Sequence, residues 1–486
     1  MNYFIEHMLP EERELIPWLP TTAAFTDWIC EKYADSVALS DPDRKLTYAE
    51  LGQLVARKRR LLSDRCVPAA SNVGLLGVNS IDEAAWFLAV TSSGRTAVML
   101  PASLSPDVLA RSAVHYELSA LIADTSLSEK TQNVPVSVLL GMRDAAEKTE
   151  VSSDVSPKDR AAIFFTGGTT GTPKGVMLSH RALMRGTLNG TYRKGTVFGQ
   201  RFVAVLPFIH VFGMIFSLLS CLYTGSEVGV CGQMREVFKE MQRVHPTTMI
   251  AVPGLAELML TIARGKGMGA LGASLKTIIT GAAPVPPRLY HGFLPLGVQV
   301  LAGYGMTETA NLVSGNLTME LHPDSMGKQY PEQEARIVDG ELQVRGDMLF
   351  DGYWKDEAAT RAAFTEDGWL CTGDLARIDE DGFIYIVGRK KNLIILANGE
   401  NVSPEEIEQV FYKSPVVHDC LAREADIAGT PSIVLEVQPM PGYDEAAVRK
   451  ALDEIRATLP STMRPARFDL RSEDFEKSAS MKIIRK

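Results

Sequence analysis

Short apolar runs alternate with longer segments of mixed polarity between about residue 160 and residue 305. Runs of this length, bounded by glycine, proline and polar residues, are typical of buried strands. The predicted strands are Ala161–Phe165, Phe202–Pro207, Glu227–Cys231, Thr247–Val252, Lys276–Thr280 and Val298–Ala302. Helices are predicted between them, as at Met234–Val244 and Gly254–Ala263. The alternation predicts an α/β fold of βαβ units, with a mostly parallel sheet and ligands at the carboxyl ends of its strands.

The pattern changes near residue 340. Glu341–Gly346 alternates polar and apolar positions, and a turn sequence precedes the apolar run Phe383–Val387. We expect both segments to be antiparallel strands that close a large domain. After Gly388 the chain becomes basic, and Pro404–Phe411 has acidic residues in its first turn, as helices prefer. The predicted domains are a large one over residues 1–388 and a small α+β one over residues 389–486.

Composition and charge narrow the functional classes. The chain has 486 residues, of which 45% are hydrophobic and 22% are charged, as in an ordinary globular protein with a large core. The net charge of −9 and the lack of a basic stripe argue against a nucleic-acid partner. No apolar run approaches the ~18 residues of a membrane helix, and Met214–Tyr223 is predicted to be a buried helix. The charged N-terminus and six scattered cysteines indicate a reduced, cytoplasmic enzyme without a secretory signal.

A loop rich in glycine and threonine follows the first predicted strand, where Phe165–Gly175 reads Phe-Thr-Gly-Gly-Thr-Thr-Gly-Thr-Pro-Lys-Gly. Its backbone N–H groups and hydroxyls can converge on one anion, because glycine lets the backbone approach oxygen atoms closely. Lys174 adds a point charge suited to phosphate; a plain surface turn is the alternative. A Walker loop requires Ser or Thr directly after the lysine, where this chain has Gly175. The predicted phosphate-binding residues are Thr166, Gly167, Gly168, Thr169, Thr170, Gly171 and Lys174.

A second motif, Gly303-Tyr304-Gly305-Met306-Thr307-Glu308, follows the last strand of the α/β region. A nucleotide needs a flat surface for its base, a hydroxyl for phosphate and a carboxylate for its metal ion. Tyr304, Thr307 and Glu308 supply one each, and Gly303 lets the backbone approach the nucleotide. Because Mg²⁺ shares its ligands with substrate phosphates and water, one protein carboxylate is sufficient. A strand-end turn without a ligand is the alternative.

Together, and in this order, the motifs resemble those of the acyl-adenylate-forming superfamily, which comprises acyl- and aryl-CoA ligases, peptide-synthetase adenylation domains and luciferases. The resemblance runs from Leu46 to Arg485. It implies a large N-terminal domain of doubly wound α/β subdomains with a small β-barrel-like part, followed by a small mobile α+β domain. It also implies ATP, Mg²⁺ and coenzyme A as cofactors. The chain departs from the usual pattern at Gly167, Asn392 and Met481.

The resemblance assigns roles to further residues. Asp374 and Arg389 would contact the ribose of the nucleotide. Lys391 would lie at a hinge about which the small domain rotates, and the loop containing Gly399 would face the active site during thioester formation. Lys482 would stabilise the negative charge that develops as a carboxylate attacks the α-phosphate. A turn-capping role for Asp374 and a solvated basic tail around Lys482 are the alternatives.

A pocket for the acid is predicted between two further motifs. His210, in Leu206–Met214, follows a predicted strand and matches the CoA-ligase branch of the superfamily; a buried core histidine is the alternative. Small side chains would leave room for an apolar acyl or aryl group. The predicted pocket residues are His210, Gly281, Ala282, Ala283, Pro284 and Met306, and the predicted catalytic residues are Lys482, Lys174, Glu308, Thr307 and His210.

Gly267–Gly272 satisfies the dinucleotide pattern Gly-x-Gly-x-x-Gly. It follows no predicted strand and precedes a strand in place of a helix. The acidic residue expected ~20 residues further on is also missing. We therefore expect a flexible connection here and no NAD or FAD site.

These features predict an AMP-forming acyl-CoA ligase that activates a fatty or aryl carboxylic acid as acyl-AMP and transfers it to CoA. Its partners would be the acid, ATP and CoA, with no nucleic acid and no transmembrane segment. Three alternatives stay open. One is an adenylation enzyme that loads the phosphopantetheine of a carrier protein. The others are a luciferase-like oxygenase and a non-catalytic nucleotide-binding regulator, the latter because of the departures from the usual motifs.

Overall fold

Residues 2–12, 14–140, 154–166, 174–396, 401–427, 430–477 and 483–485 are described by the computed structural model of the chain. The strands are β1 (Val37–Ser40), β2 (Lys45–Thr47), β3 (Asn72–Gly77), β4 (Thr96–Pro101), β5 (Leu118–Ala123), β6 (Ser137–Leu140), β7 (Arg160–Phe165), β8 (Gly175–Ser179), β9 (Arg201–Ala204), β10 (Glu227–Val230), β11 (Thr248–Ala251), β12 (Thr277–Thr280), β13 (Gln299–Tyr304), β14 (Ser314–Asn316), β15 (Lys328–Gln329), β16 (Gln333–Val338), β17 (Glu341–Gly346), β18 (Gly352–Tyr353), β19 (Leu370–Ile378), β20 (Ile384–Arg389), β21 (Ile394–Ile395), β22 (Asn401–Val402), β23 (Val417–Ile427), β24 (Thr430–Pro439) and β25 (Arg467–Leu470). The α-helices are α1 (Tyr3–His7), α2 (Thr22–Lys32), α3 (Tyr48–Asp64), α4 (Ile81–Ser92), α5 (Pro106–His115), α6 (His180–Asn189), α7 (Ser220–Leu222), α8 (Val237–Val244), α9 (Pro253–Lys266), α10 (Pro287–Phe293), α11 (Glu357–Ala363), α12 (Pro404–Tyr412) and α13 (Glu445–Thr458).

The largest sheet has seven strands in the order β18-β8-β7-β4-β3-β5-β6. Strands β3 to β7 pair in parallel, whereas β8 returns antiparallel beside β7 and is followed by the short edge strand β18. The βαβ units around β3, β4 and β5 place helices on the sheet, as parallel connections require. The carboxyl end of β7 lies directly beside the start of β8, with Phe165 opposite Gly175.

The predicted strands between residues 160 and 305 are all present, but they belong to three sheets and not to one. Strand β7 joins the seven-stranded sheet, β9 and β10 lie in the sheet β2-β1-β10-β9, and β11 to β13 lie in the sheet β11-β12-β13-β14-β15. The predicted strands that lie side by side, β9 with β10 and β11 to β13, pair in parallel, as predicted, whereas β8, which was not predicted, pairs antiparallel with β7. Alternating strands and helices fix the parallel pairing but not which strands become neighbours, since that depends on earlier segments such as β1 and β3 to β6.

Strand β9 ends earlier than predicted, because the residues that follow it form hydrogen bonds with the side chain of Asn79. The Asn79 side chain, which follows β3, donates to the carbonyls of Leu206 at 2.9 Å and Ala204 at 3.4 Å. Its Oδ1 atom accepts the Phe208 N–H at 2.8 Å. These bonds replace ladder bonds after Ala204, and the chain turns at Pro207, which has no N–H to donate.

The buried helix predicted at Met214–Tyr223 is largely a π-helix, over Phe212–Leu219, which continues into α7. The Ser217 hydroxyl donates to the Phe212 carbonyl at 3.2 Å, five residues earlier, and Ser220 does the same to Ile215 at 2.9 Å. A π-helix is rare and often occurs at functional sites. This one begins two residues after His210.

The antiparallel prediction for residues beyond 340 is confirmed. Strands β16, β17, β19 and β20 form an antiparallel sheet in that order. Gly267–Gly272, by contrast, forms a 3₁₀ turn at Met268–Leu271 between α9 and β12. It packs on α8, where the His245 ring lies 2.8 Å from the Gly272 carbonyl oxygen, so this connection is a packed one.

The C-terminal unit, defined here as residues 394–485, has an apolar cluster of its own. Buried side chains of α12, α13 and the sheet β23-β24-β25, such as Phe411, Val417 and Leu452, form this cluster. Helix α12 begins at Pro404, as predicted, and the Ser403 hydroxyl caps it by accepting the Glu406 N–H. The domain boundary near Gly388 stays a prediction.

In the part of the chain that the structure describes, no helix is both long enough and apolar enough to cross a membrane.

Candidate active site

The predicted phosphate loop leaves the carboxyl end of β7 and returns at β8. Two hydrogen bonds join its ends. The Thr166 N–H donates to the Lys174 carbonyl at 3.1 Å, and the Lys174 N–H donates to the Thr166 hydroxyl at 3.4 Å. Residues 167–173 lie outside the described residues. They include the predicted phosphate-binding residues Gly167, Gly168, Thr169, Thr170 and Gly171. The described ends therefore place the base of the loop where β7 ends and β8 begins.

The Lys174 ammonium lies over an aromatic ring and beside a carboxylate. Its Nζ atom is 4.7 Å from the centre of the Tyr353 ring and 3.9 Å from Asp356 Oδ2. Strand β18 brings Tyr353 here, because it pairs with β8 and sets Tyr353 opposite Val176. The lysine side chain is 48% exposed, so its charge remains accessible to an anion.

Glu308 shares Tyr353 with Lys174. The Tyr353 hydroxyl donates to Glu308 Oε1 at 2.8 Å, and the Glu308 residue is only 6% exposed. Burial raises the pKa of Glu308, while the Tyr353 hydrogen bond and the charges of Arg389 and Lys174 act in the opposite direction. Among the described residues no group of three His, Cys, Asp or Glu side chains could hold a metal ion. A single carboxylate of this kind fits Mg²⁺, which takes most of its ligands from water and phosphate.

The turn that carries Thr307 and Glu308 is held in an unusual backbone conformation. A 3₁₀ turn over Thr307–Thr309 is followed by Ala310 and Asn311, with φ values of 45° and 97°. Helix α6 approaches this turn through Gly186, where a Cβ atom would overlap the Ala310 carbonyl. Gly186 is not among the predicted site residues, because no signal in one sequence distinguishes it from other helical glycines.

Asp374 is the centre of a second cluster. It is 3% exposed, its Oδ2 atom accepts the Tyr304 hydroxyl at 2.5 Å, and its Oδ1 atom pairs with Arg389 Nε at 2.5 Å. The register of β19 and β20 sets Asp374 directly opposite Arg389. Burial, followed by the Asp374 charge, raises the pKa of Tyr304, so the tyrosine keeps its proton. The structure thus brings together three of the predicted nucleotide-binding residues.

The segment predicted to be a hinge is tied to the same sheet by Glu341. Its two carboxylate oxygens accept the Gly373 N–H at 2.9 Å and the Lys390 ammonium at 3.0 Å. Lys391 follows in a 3₁₀ turn and, with Gly373, Arg389 and Lys390, lines a surface depression. Glu341 is not among the predicted site residues, because its contacts depend on the pairing of β17 with β19.

Gly281, a predicted pocket residue, lies where three elements meet. A Cβ atom on Gly281, which follows β12, would lie 3.0 Å from the Gly303 carbonyl oxygen and 3.5 Å from Cζ of Phe212. The next residue, Ala282, has a φ of 67°, in the left-handed region that L-residues rarely adopt. Ala283 and Met306 are half-buried and Pro284 is exposed. The ends of β12 and β13 and the start of the π-helix therefore form one wall of small and apolar groups.

His210 lies in the loop held by Asn79 and is half-buried. Its N–H donates to the Pro207 carbonyl at 3.1 Å, and its carbonyl accepts from Met214. Burial lowers the pKa of His210, which leaves the imidazole uncharged at neutral pH. Lys482 and Gly399 lie outside the described residues.

Comparisons with known proteins bear on the family and the fold. A family model described as "AMP-binding enzyme" matches residues 26–354, more than half of the chain. A long-chain-fatty-acid–CoA ligase of Mycobacterium bovis, FadD15, is 31% identical in an alignment of 324 positions that covers 56% of this chain and 54% of the relative. The match thus spans about half the length of that relative. A 2-succinylbenzoate–CoA ligase of Bacillus cereus is 28% identical over 396 residues, which cover 79% of this chain and 81% of the relative.

Two solved structures share the fold over nearly the whole chain. ATP-bound MatB from Rhodopseudomonas palustris is 25% identical, with a TM-score of 0.84 over 95% of this chain and 97% of its own. The anthranilate CoA ligase AuaEII in complex with anthranoyl-AMP is 21% identical, with a TM-score of 0.84 over 96% of each chain. These likenesses confirm the predicted fold class. With the family model matched over 26–354, the chain belongs to the AMP-binding enzyme family.

Proposed function

We propose that the chain is an AMP-forming acyl-CoA ligase. In the first half-reaction a carboxylate oxygen of the acid attacks the α-phosphorus of ATP, and pyrophosphate leaves. In the second, the sulfur of CoA attacks the acyl carbon of acyl-AMP and AMP leaves, with the thiol proton lost to solvent. One observation carries the proposal. Lys174 and Glu308 meet at Tyr353. Arg389 and Tyr304 meet at Asp374, and Tyr304 directly follows Gly303 of the wall of small residues.

The cluster of Lys174 and Glu308 would bind the phosphates and the metal ion of the nucleotide, and the cluster around Asp374 would bind its ribose. Lys174 and the loop that begins at Thr166 would hold the β- and γ-phosphates, and Thr307 would donate to phosphate. Glu308 would be the protein ligand of Mg²⁺, which neutralises phosphate charge when bound. Asp374 would accept the ribose hydroxyls. Both of its oxygens already have protein partners, but each carboxylate oxygen can accept a second hydrogen bond.

The acid is proposed to be an apolar monocarboxylic acid, fatty or aryl. The described residues of the wall include no cation to pair with a second carboxylate, and the half-buried side chains are those of Phe212, Met306, Ala282 and Ala283. The neutral His210 imidazole can donate one hydrogen bond to the reacting carboxylate without drawing it into a fixed ion pair. The relative named for a long-chain fatty acid agrees with this proposal, whereas 2-succinylbenzoate, for which another relative is named, is an aryl acid with a second carboxylate.

Residues 1–388 and 389–486 are proposed to be two domains, of which the second moves between the half-reactions about Lys391. The separate apolar cluster of the C-terminal unit supports this division. Rotation would withdraw Lys482 after adenylation and admit the thiol, so that one cleft serves two steps. The reaction is proposed to take place in the cytoplasm, where ATP and CoA are available and where cysteines stay reduced, as the six unpaired cysteines here suggest.

The test is pyrophosphate release from ATP–Mg²⁺ across fatty, aryl and dicarboxylic acids, with and without CoA. Release with apolar monocarboxylic acids, joined by CoA-dependent AMP formation, is the expected result. Release that is independent of CoA would favour a carrier-protein phosphopantetheine as the acceptor. Bound ATP without turnover on any acid would contradict the ligase and favour a nucleotide-binding regulator.

A further inference from the structure

The part of β19 that carries Asp374 is a bulge. Residues 371–375 of β19 lie opposite residues 341–343 of β17, so β19 accommodates two extra residues there. The extra residues of a bulge lack the ordinary ladder hydrogen bonds. In the middle of this bulge Gly373 has a φ of 72°, in the left-handed region that favours glycine. The conformation of the bulge therefore determines the direction of the Asp374 side chain.

Two buried side chains hold the bulge in place of ladder bonds. Glu341 Oε1 accepts the Gly373 N–H at 2.9 Å. The Thr372 hydroxyl donates to the Leu342 carbonyl at 2.7 Å and accepts the Asp374 N–H at 3.1 Å. Glu341 and Thr372 are 6% and 4% exposed, so these bonds are largely shielded from water. Removal of the Glu341 carboxylate would leave the Gly373 N–H without this acceptor, which is costly away from water.

The same carboxylate also reaches the strand on the other side of β19. Glu341 Oε2 accepts from the Lys390 ammonium at 3.0 Å, and Lys390 directly follows Arg389, the last residue of β20. Arg389 lies opposite Asp374 in the ladder and pairs with it. One carboxylate therefore holds the residue beside each member of that ion pair.

The two contacts of Glu341 differ in strength. The Lys390 side chain is 58% exposed, and exposed ion pairs contribute little to stability. The bond to Gly373 joins a buried carboxylate to a backbone N–H, and hydrogen bonds to charged groups are roughly twice as strong as neutral ones. We therefore expect the contact with the bulge to matter more than the contact with Lys390.

We propose that Glu341 is a positioning residue for the ribose of ATP. It holds the bulge so that the Asp374 carboxylate faces the ribose hydroxyls beside Arg389, and it acts through these two residues without binding the nucleotide itself. The inference rests on the proposed ligase function, in which Asp374 accepts the ribose hydroxyls. It adds the residue that determines the direction of that carboxylate.

The experiment measures equilibrium binding of ATP–Mg²⁺ and of its 2′,3′-dideoxy analogue, which lacks both ribose hydroxyls. Wild type should bind ATP more tightly than the analogue. Glu341→Ala should lower the affinity for ATP about tenfold, as expected when one hydrogen bond to the Asp374 carboxylate is lost. Its affinity for the analogue should stay within about twofold of wild type, because the analogue makes no such bond. A general loss of structure would instead weaken both nucleotides alike.

Two conservative variants separate the contacts of Glu341. Glu341→Gln keeps an oxygen that can accept the Gly373 N–H, so it should retain the affinity for ATP within about twofold. Glu341→Asp keeps the charge but is one carbon shorter, and it should lose about threefold for ATP and nothing for the analogue. This variant keeps the proposal testable if Glu341→Ala does not fold. Glu334→Ala is the matched control, because Glu334 lies in the same sheet in an exposed pair with Arg345, and it should change neither affinity.

The outcomes distinguish the inference from the function on which it rests. Equal losses for both nucleotides in Glu341→Ala and Glu341→Asp, or no loss for either, would overturn the positioning role while the ligase proposal stands. If wild type itself does not distinguish ATP from the analogue, the ribose role of Asp374 fails, and the role of Glu341 fails with it.

Discussion

Tyr353 donates a hydrogen bond to Glu308 Oε1 at 2.8 Å, and its ring lies 4.7 Å from the Lys174 ammonium. The tyrosine thus connects the predicted metal ligand to the predicted phosphate lysine. Glu308 is buried, and a buried carboxyl favours its protonated form unless donors and positive charges surround it. The Tyr353 hydroxyl is one of the groups that lower the pKa of Glu308 against the effect of burial.

Tyr353→Phe should therefore weaken the use of Mg²⁺ most at low pH. Loss of a hydrogen bond to a charged group costs about 1.5–3 kcal/mol, which corresponds to roughly a tenfold or greater increase in the Mg²⁺ concentration needed for half-maximal rate. The pKa of Glu308 should rise further, so the acid limb of the pH–rate profile should move to higher pH. Tyr443→Phe, at a tyrosine that is 46% exposed, is the control. An unchanged Mg²⁺ requirement would show that the bond to Glu308 does not support metal binding.

Asp374 and Arg389 should act as one unit in nucleotide binding. Asp374→Asn and Arg389→Gln each remove the ion pair at 2.5 Å, and we expect each to raise the KM for ATP about tenfold. Because either change breaks the same contact, the double variant should cost much less than the product of the two. Asp367→Asn, in the exposed pair with Arg336, should leave the KM for ATP unchanged. Multiplicative effects at Asp374 and Arg389 would mean that they bind independently.

Lys482→Ala should separate the two half-reactions. We expect most acyl-AMP formation to be lost while supplied acyl-AMP is still converted to thioester, because the lysine would stabilise charge only in the first step. Lys450→Ala, at an exposed lysine of α13, is the matched control. Gly399→Leu should show the opposite preference in the same single-turnover assays. If both half-reactions fell equally in Lys482→Ala, the assignment of this residue to adenylation would be wrong.

The strands around the site could be predicted because their pattern is local. The run that ends at Phe165 is apolar, short and followed by glycine, and it forms β7 as expected. The same reasoning predicted the helix at Pro404 and the antiparallel strands after residue 340. The distribution of the parallel strands over three sheets was not predictable in this way, because strand pairing joins segments far apart in the chain.

The contacts between site residues could not be predicted from the sequence for the same reason. Tyr304 ends β13 and Asp374 lies on β19, so their hydrogen bond depends on how two separate sheets meet. Tyr353 comes near Glu308 only because β18 adds to the edge of a third sheet. The π-helix after His210 was predicted as an ordinary helix, since burial alone does not distinguish the two. Residue types and their order identified the chemistry, whereas the partners of each group required the fold.

Gly186→Ala should disturb the turn that carries Glu308 by a contact from helix α6. The added methyl group would overlap the Ala310 carbonyl, which belongs to the turn that carries Glu308. Forcing a methyl group into such a contact costs typically about 1–3 kcal/mol of stability, so we expect a lower Tm together with a weaker response to Mg²⁺. Gly265→Ala is the matched control, because Gly265 lies in α9 with no atom within 4 Å of the added group. It should raise stability slightly, by up to ~1 kcal/mol. Equal effects at the two positions would show that the contact with Ala310 is not tight.

Glu83 should make the stability of the protein depend on pH. It is 7% exposed on α4, and neither carboxylate oxygen has a hydrogen-bond partner among the described residues. Burial, followed by the charge of Asp124, raises the pKa of Glu83 to about 7. Folding therefore favours the protonated form. The stability that Glu83 contributes is fully present below pH 4.5 and is lost as the pH rises through 7.

Glu83→Gln removes this titration while keeping the size of the side chain. From pH 5.5 to pH 8.5 the free energy of unfolding of the variant should increase relative to that of wild type by about 2 kcal/mol, because wild type must bury an unpaired charge at the higher pH. Thermal unfolding of both proteins at the two pH values measures the difference. Glu357→Gln, at a glutamate whose side chain is 89% exposed, should show no such change. The free energies of unfolding of Glu83→Gln and wild type could instead differ by the same amount at both pH values. That result would mean that the Glu83 carboxyl does not change its protonation on unfolding. Its carboxylate would then be solvated in the folded protein.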